Sequence, residues 1–301
     1  MQGITATLAE LVRARPSRVL TGFAPSGRVS THQWGANRSI FRGRGMEFAE
    51  SRAYQAGDDV KSIDWRVTAR TGQPHTKLFQ EERERPVHIL LDLRAMMQFG
   101  TRVRFKSHMA AEVAAMLAWV GYDGGDRVGG LVLCRDGILD FKANRTRRNV
   151  LRFLETVAGQ TSPDIAAGSE MSLANGLRRL RRVCRPGTLA FVISDFSDFD
   201  DITAQELRRL SRTAHVTNIQ INDPMDSALP PQGGRISDGQ SAMSLSAINR
   251  SELRDYADQF AHRQARLATL SRQNAMAIHN LQTSDDAASI LHPVQPKRRA
   301  A

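Results

Sequence analysis

HILLDLRAMMQFG, His88 to Gly100, is the stretch whose reading decides the fold. Pro86 and Val87 lead into a continuous β-rich apolar run, the texture of a strand buried on both faces. The run closes on a carboxylate, Asp92, and Arg94 and Met96 follow at two-residue steps before Gly100 ends the segment. In an open parallel sheet, ligands gather beyond the carboxyl ends of the strands, so an acid placed there marks the start of a site. An arginine and a methionine are not the small polar ligands that such a site normally carries.

Downstream of this strand the pattern alternates. RFKSHMAAEVAAMLAWVGY has the spacing of a helix with one wide apolar face. DRVGGLVLC, GTLAFVISDF, HVTNIQIND and AMAIHNLQ read as further strands, and RTRRNVLRFLETVAG, MSLANGLRRLRRVC, DITAQELRRLSRT and the long stretch from Ser246 to Asn274 as further helices. Strands alternating with helices predict an α/β fold with a mostly parallel sheet and helices on both faces. DPMDSALPPQGGRISDG reads as a turn-rich insertion, and the tail HPVQPKRRAA as disordered.

The N-terminal block differs in texture. ITATLAELVRARP has helical spacing and stops near Pro16; the following stretch is dense in Gly, Arg and acidic residues. There Asp58 or Asp59 is expected to cap a short helix through VKSIDWRVTAR, and HTKLFQEE to form a short strand. The expected organisation is an N-terminal extension over 1–84 that packs on the core, a sheet domain over 85–290 and a basic tail over 291–301.

The chain has 301 residues, and 42 Lys plus Arg against 31 Asp plus Glu leave it at +11. That excess suits an acidic protein, nucleic acid or a membrane surface, or is simply a solvated basic face. The two cysteines, Cys134 and Cys184, form no disulfide framework or zinc spacing, which fits a reducing cytoplasm. No apolar run approaches the roughly 18 residues of a membrane span.

Two carboxylates are expected at the carboxyl edge of the sheet, Asp92 and Asp195. Together they could hold a hard cation, or each could cap a turn. Strand, Asp, helix and a later strand ending in Ser-Asp resemble the von Willebrand factor A fold. Metal-containing members of that fold carry Asp-x-Ser-x-Ser, a Thr on a second loop and a later Asp. Here Asp92 and Asp195 match the acids, Arg94 and Met96 stand at the two serines, and Met171 aligns with the threonine. The resemblance thus implies a degenerate metal site: Arg94 pairs with Asp92 or Asp195, no metal is held, and Arg94 is expected to offer its guanidinium to a partner's acid.

The block from Ile40 to Gly100 resembles the domain of unknown function 58 family in its short branch without membrane helices, on Glu47, Arg52, Tyr54, Gly57, Asp58, Asp64, Trp65, Arg70 and Glu82. GDRVGGLV and VISDFSD continue the likeness. These are mostly bacterial proteins, and the resemblance implies work with a MoxR-type AAA+ ATPase and with other von Willebrand A-like proteins, in protein maturation or complex assembly. Arg52, Asp58, Asp59, Asp64 and Arg70 with Tyr54 and Trp65 read either as a polar interlock, with Trp65 supplying apolar area, or as a partner-binding surface.

No Walker or dinucleotide glycine spacing is present, the eight histidines lack ligand spacing, and no cofactor is expected. Arg145–Arg148, Arg178–Arg182 and Arg208, Arg209 and Arg212 lie on predicted helices; Arg178, Arg181, Arg182 and Arg185 share a face. The favoured reading is a non-enzymatic protein-interaction module. The alternatives are a basic nucleic-acid-binding protein and a degenerate metal-dependent hydrolase built on Asp64.

Overall fold

Along the central strands, successive side chains divide between two apolar cores. Val87, Ile89 and Leu91 enter one core and Leu90 the other; Leu189, Phe191 and Ile193 face Ala190 and Val192 in the same way. That two-sided burial follows from the period of two in strands that are apolar along most of their length. The computed structural model describes residues 3–16, 20–23, 29–31, 46–55, 58, 60, 63–81, 85–163, 170–230, 234–237, 242–245 and 248–291.

In chain order the elements are α1 (Leu8–Arg13), β1 (Leu20–Phe23), β2 (Val29–Thr31), β3 (Met46–Ala53), α2 (Trp65–Thr71), β4 (His75–Glu81), β5 (Pro86–Asp92), a 3-10 turn (Ala95–Met97), α3 (Lys106–Asp123), β6 (Arg127–Cys134) and β7 (Gly137–Asn144). They continue with α4 (Arg147–Gln160), α5 (Leu173–Val183), β8 (Thr188–Ser194), α6 (Asp201–Ser211), β9 (Ala214–Asn222), α7 (Pro224–Ser227), β10 (Arg235–Ser237), β11 (Ala242–Ser244), α8 (Arg250–Gln273), β12 (Ala277–Gln282) and a closing 3-10 turn (Ala287–Leu291).

Six strands form the main sheet in the order β12-β9-β8-β5-β6-β7, all parallel except β7. Side chains of α3 and α4 line one core, and those of α5, α6 and α8 the other. The expected α/β class with helices on both faces is therefore correct. From β5 the chain winds outward through β6 and β7, then returns to build β8, β9 and β12 on the other side. The strand order reverses between β5 and β8, and a ligand crevice belongs at their carboxyl ends.

Two compact units divide the chain, Met1–Val29 with Arg85–Ala301, and Ser30–Glu84. The cut falls between Glu84 and Arg85, and Met1–Val29 with α1 groups with the sheet unit, not with Ser30–Glu84. Helix α3 is buried almost all round, including Trp119 at 0 % exposure, so its outer side needs a cover. Trp119 Nε1 donates to the Leu11 carbonyl at 3.1 Å, and Ala6 N donates to Thr161 Oγ1 at 3.0 Å. Arg15 lies 5.1 Å over the Trp119 ring and pairs with Asp123. At the other terminus Ile290 and Leu291 are buried in the last 3-10 turn; the expected tail beyond residue 291 lies outside the described residues.

In the second unit β3 and β4 pair antiparallel, with a register irregularity between Phe48 and Glu50. The expected helix through VKSIDWRVTAR is shorter and its cap is neither Asp58 nor Asp59. Asp64 caps α2, accepting from Arg66 N at 3.1 Å and Val67 N at 3.2 Å. Asp58 instead accepts from Gln55 N at 2.9 Å; Asp59 lies outside the described residues.

Candidate functional site at the carboxyl edge of the sheet

Asp92 ends β5 at 1 % exposure and is met by donors on both oxygens. Arg94 N (3.1 Å) and Nε (2.9 Å) donate to Oδ1, while Arg94 Nη2 and Ser194 Oγ donate to Oδ2, each at 2.7 Å. Arg94 then reaches across to Asp198: Nη1 donates to Oδ2 at 2.7 Å and Nη2 to Oδ1 at 3.0 Å. Its remaining Nη1 hydrogen goes to the Met171 carbonyl at 3.2 Å. A guanidinium has five N–H donors, and all five are spent inside the site.

A second cation sits beside the first. Lys106, at 1 % exposure, donates from Nζ to Asp195 Oδ2 at 2.8 Å and lies 3.2 Å from Asp226 Oδ2. It occupies the first turn of α3, where the helix dipole disfavours a positive charge. Those two carboxylates offset that cost. Burial alone pushes the Lys106 ammonium down, but Asp195 and Asp226 outweigh it and hold it above its ordinary value.

The loop after β8 aims these acids in different directions. Phe196 adopts φ 54°, a left-handed conformation uncommon for a bulky residue. Ser194 Oγ accepts from Phe196 N at 3.0 Å, and Asp195 Oδ1 accepts from Ser197 N at 3.0 Å. Phe196 is buried edge-to-face against Phe199 with ring centres 6.3 Å apart. Asp195 thereby turns to Lys106 and Asp198 to Arg94. Asp198 also accepts from Leu173 N at 2.9 Å, tying the start of α5 to the edge.

Electrostatically the two acids paired with Arg94 differ. Burial pushes the Asp92 carboxyl above the carboxylate range, although hydrogen bonds and charge from Arg94 pull against it. Asp198 is also raised by burial, but the Arg94 hydrogen bonds and charge prevail and hold it low. Arg94 itself stays firmly protonated, because its two acids outweigh the cost of burial.

The structure brings Asp92, Arg94, Met171 and Asp195 to one edge as expected, with Met171 contributing its carbonyl. Arg94 pairs with Asp92, one of the two acids expected for it, and also with Asp198, while the cation of Asp195 is Lys106. One expectation is corrected: every Arg94 donor is used within the site, so none is left for a partner's acid. Met96 and Met171 stand on the rim at 58 % and 45 % exposure, their segments joined by Ala95 N donating to Glu170 Oε1 at 2.7 Å. Sequence reasoning missed Lys106, Ser194, Asp198 and Asp226. A lysine opening an apolar helix and the second acid of SDFSD were the available signals.

The family-signature residues belong to the other unit. Arg52 pairs with Asp58 at 2.7 Å, and Tyr54 Oη donates to the Asp58 carbonyl at 3.3 Å. Ser51 Oγ donates to Asp64 Oδ2 at 2.9 Å. Trp65 does not supply buried area: it is 68 % exposed on α2, and Arg70 is exposed on the same helix. The Glu47 backbone pairs with Gln80 on β4, while Gly57 and Glu82 lie outside the described residues.

Fold and edge together define an α/β domain whose switch-point carboxylates are neutralised by the chain's own cations. The chain belongs to the family described as protein of unknown function DUF58, whose model matches residues 50–266. It is 32 % identical over 271 residues to uncharacterized protein Mb1516 of Mycobacterium bovis and to uncharacterized protein Rv1480 of Mycobacterium tuberculosis, covering 89 % of this chain and 84 % of each relative. Among solved structures it is similar to conserved hypothetical protein BatB from Bacteroides thetaiotaomicron (13 % identity, 68 % of this chain and 93 % of that one, TM-score 0.40). It is also similar to a von Willebrand factor type A protein from Catenulispora acidiphila (13 % identity, 72 % of this chain and 42 % of that one, TM-score 0.37). Among the described residues no helix is long and apolar enough to cross a membrane.

Proposed function

We propose that this chain is a non-enzymatic protein-interaction module of the reducing cytoplasm, working with a MoxR-type AAA+ ATPase and related von Willebrand A-like proteins in protein maturation or complex assembly. One observation supports the reading most: the carboxylates at the sheet edge are closed off by Arg94 and Lys106. The donor set does not suit a divalent ion. The positions that would supply hydroxyls carry Arg94 and Met96, and a guanidinium and an ammonium stand where a metal's charge would be needed. No carboxylate of this cluster is left unpaired to act as a general base.

The contact surface on this reading is the rim around Met96 and Met171, adaptable side chains suited to apolar partner groups. Two experiments test it. Mg²⁺ and Mn²⁺ titrations followed by thermal shift should show no saturable binding; saturable binding that Asp92→Ala abolishes overturns the metal-free site. Pull-down of a MoxR-type AAA+ ATPase should survive EDTA and weaken on Met96→Glu. Capture that requires Mg²⁺, or that ignores a charge at Met96, removes this edge as the contact.

A further inference from the structure

Glu206 lies on α6 at 1 % exposure, and three arginines converge on it. Arg178 Nε is 3.6 Å and Arg209 Nη1 2.9 Å from Oε1, and Arg181 Nε is 3.2 Å from Oε2. Burial alone raises the Glu206 carboxyl, but hydrogen bonds from Arg181 and Arg209 hold it below the ordinary range. One bidentate arginine would suffice to satisfy a buried carboxylate. Three leave a surplus of positive charge held in a fixed arrangement, with Arg178 further steadied by Asn175 Oδ1 at 3.0 Å.

Around this cluster Arg182, Arg185, Arg208 and Arg212 are exposed. The side chain of Arg208 donates to the Ala204 carbonyl, and none of the four has a carboxylate partner among the described residues. A shallow depression of about 570 Å³ runs along α6 past Ile202, Arg208, Arg209 and Arg212. Two aliphatic side chains stand exposed on the same pair of helices, Val183 at 46 % and Ile202 at 53 %.

We infer that the α5–α6 face docks an acidic amphipathic segment of a partner protein, with Glu206 as the residue that positions the arginines. Charge complementarity calls for an anion. The chemistry of the face favours carboxylates on an amphipathic segment over a nucleic-acid backbone. Val183 and Ile202 have apolar partners only in the former, and no aromatic is interleaved to stack on bases. Asp201 also lines the depression, where it is paired with Arg266.

The test uses the full chain and fluorescence anisotropy with two probes: a labelled peptide with glutamate and leucine at helical spacing, and a duplex DNA of matched charge. The peptide should bind saturably, more weakly as salt rises, and more tightly than the DNA. Arg182→Glu with Arg185→Glu should weaken peptide binding by about tenfold or more. These side chains are exposed, so the variant folds. Glu206→Gln should weaken it less, with an unchanged circular dichroism spectrum, and Glu206→Asp should restore part of the loss. Duplex DNA bound as tightly as the peptide replaces the proposal with nucleic-acid binding. Peptide affinity unmoved by the arginine reversals overturns it.

Discussion

Arg94→Met is the substitution that interrogates the edge most directly. It removes the cation shared by Asp92 and Asp198 while keeping an unbranched side chain of similar reach. Asp92 is 1 % exposed and would keep only the Ser194 hydroxyl and the backbone N–H of residue 94. Breaking a buried ion pair from one side costs about 3–5 kcal/mol, since an uncompensated charge stays behind. For a unit of this size that corresponds to a fall in Tm of roughly 6–20 °C. Asp92→Asn combined with Arg94→Met removes both charges and should recover part of the loss, giving a coupling of roughly 1–3 kcal/mol in a double-mutant cycle.

The same variant has a pH signature. Without Arg94 the buried Asp92 carboxyl rises further above its ordinary value. A carboxyl raised in the folded state is best tolerated when protonated, and it costs stability as pH rises through its folded value. Asp198, held low by Arg94 in the native chain, loses its stabilising contribution above the unfolded value. Both effects make the deficit largest at neutral pH and narrow it on acidification. Denaturant unfolding across acidic and neutral pH measures this. A single-variant cost below about 1 kcal/mol, the range of exposed pairs, or a deficit that widens as pH falls, would refute the reasoning.

Lys106→Met should cost about 3–5 kcal/mol by the same argument, read by chemical denaturation, with Asp195→Asn in the same chain restoring part of it. His88 on β5 is held neutral by burial, with Arg127 adding to the effect, at about 4 instead of 6.5. The unfolded chain therefore takes up a proton that the folded one refuses, and stability falls by roughly 3 kcal/mol as pH drops from about 6.5 to about 4; His88→Gln should flatten that slope. Gly129→Ala would place a Cβ 2.6 Å from Ala143 N and 2.7 Å from Phe141 O. The neighbours are backbone atoms of β7, so overpacking should cost roughly 1–3 kcal/mol and raise amide exchange along β7.

The parallel strands were legible because burial on both faces forces continuous apolar runs, as in VHILLDL and TLAFVIS. β7 was not seen in the sequence: an edge strand mixes Ile138, Leu139 and Phe141 with Asp140 and Lys142, and only the Asp-Gly pair at 136–137, closing the two-residue turn Arg135–Asp136, signalled a hairpin. β3 was hidden for a similar reason, its charges and its register irregularity breaking the period of two. At the site, Asp92 and Asp195 were readable from their position after strands. Their cations were not, since pairing across Lys106 and Asp195 spans a separation that no local pattern encodes. The docking of α1 depends on the outer side of α3, whose apolar breadth was visible although its partner was not.

Carrying the cation within the chain changes what the edge can recognise. A metal leaves a coordination position for a partner's carboxylate, whereas Arg94 has spent every donor. On the proposed reading, apolar contact at Met96 and Met171 supplies affinity at this edge, and recognition of acids falls to the arginines of α5 and α6. The two surfaces are physically separable. The eleven residues of α5 rise about 16 Å from the edge toward Arg185, beyond the distance at which substitutions couple. Losses from Met96→Glu and from Arg182→Glu with Arg185→Glu should therefore add within roughly 0.5 kcal/mol for a partner that uses both. A larger departure from additivity would mean that one side chain of the partner bridges the two surfaces.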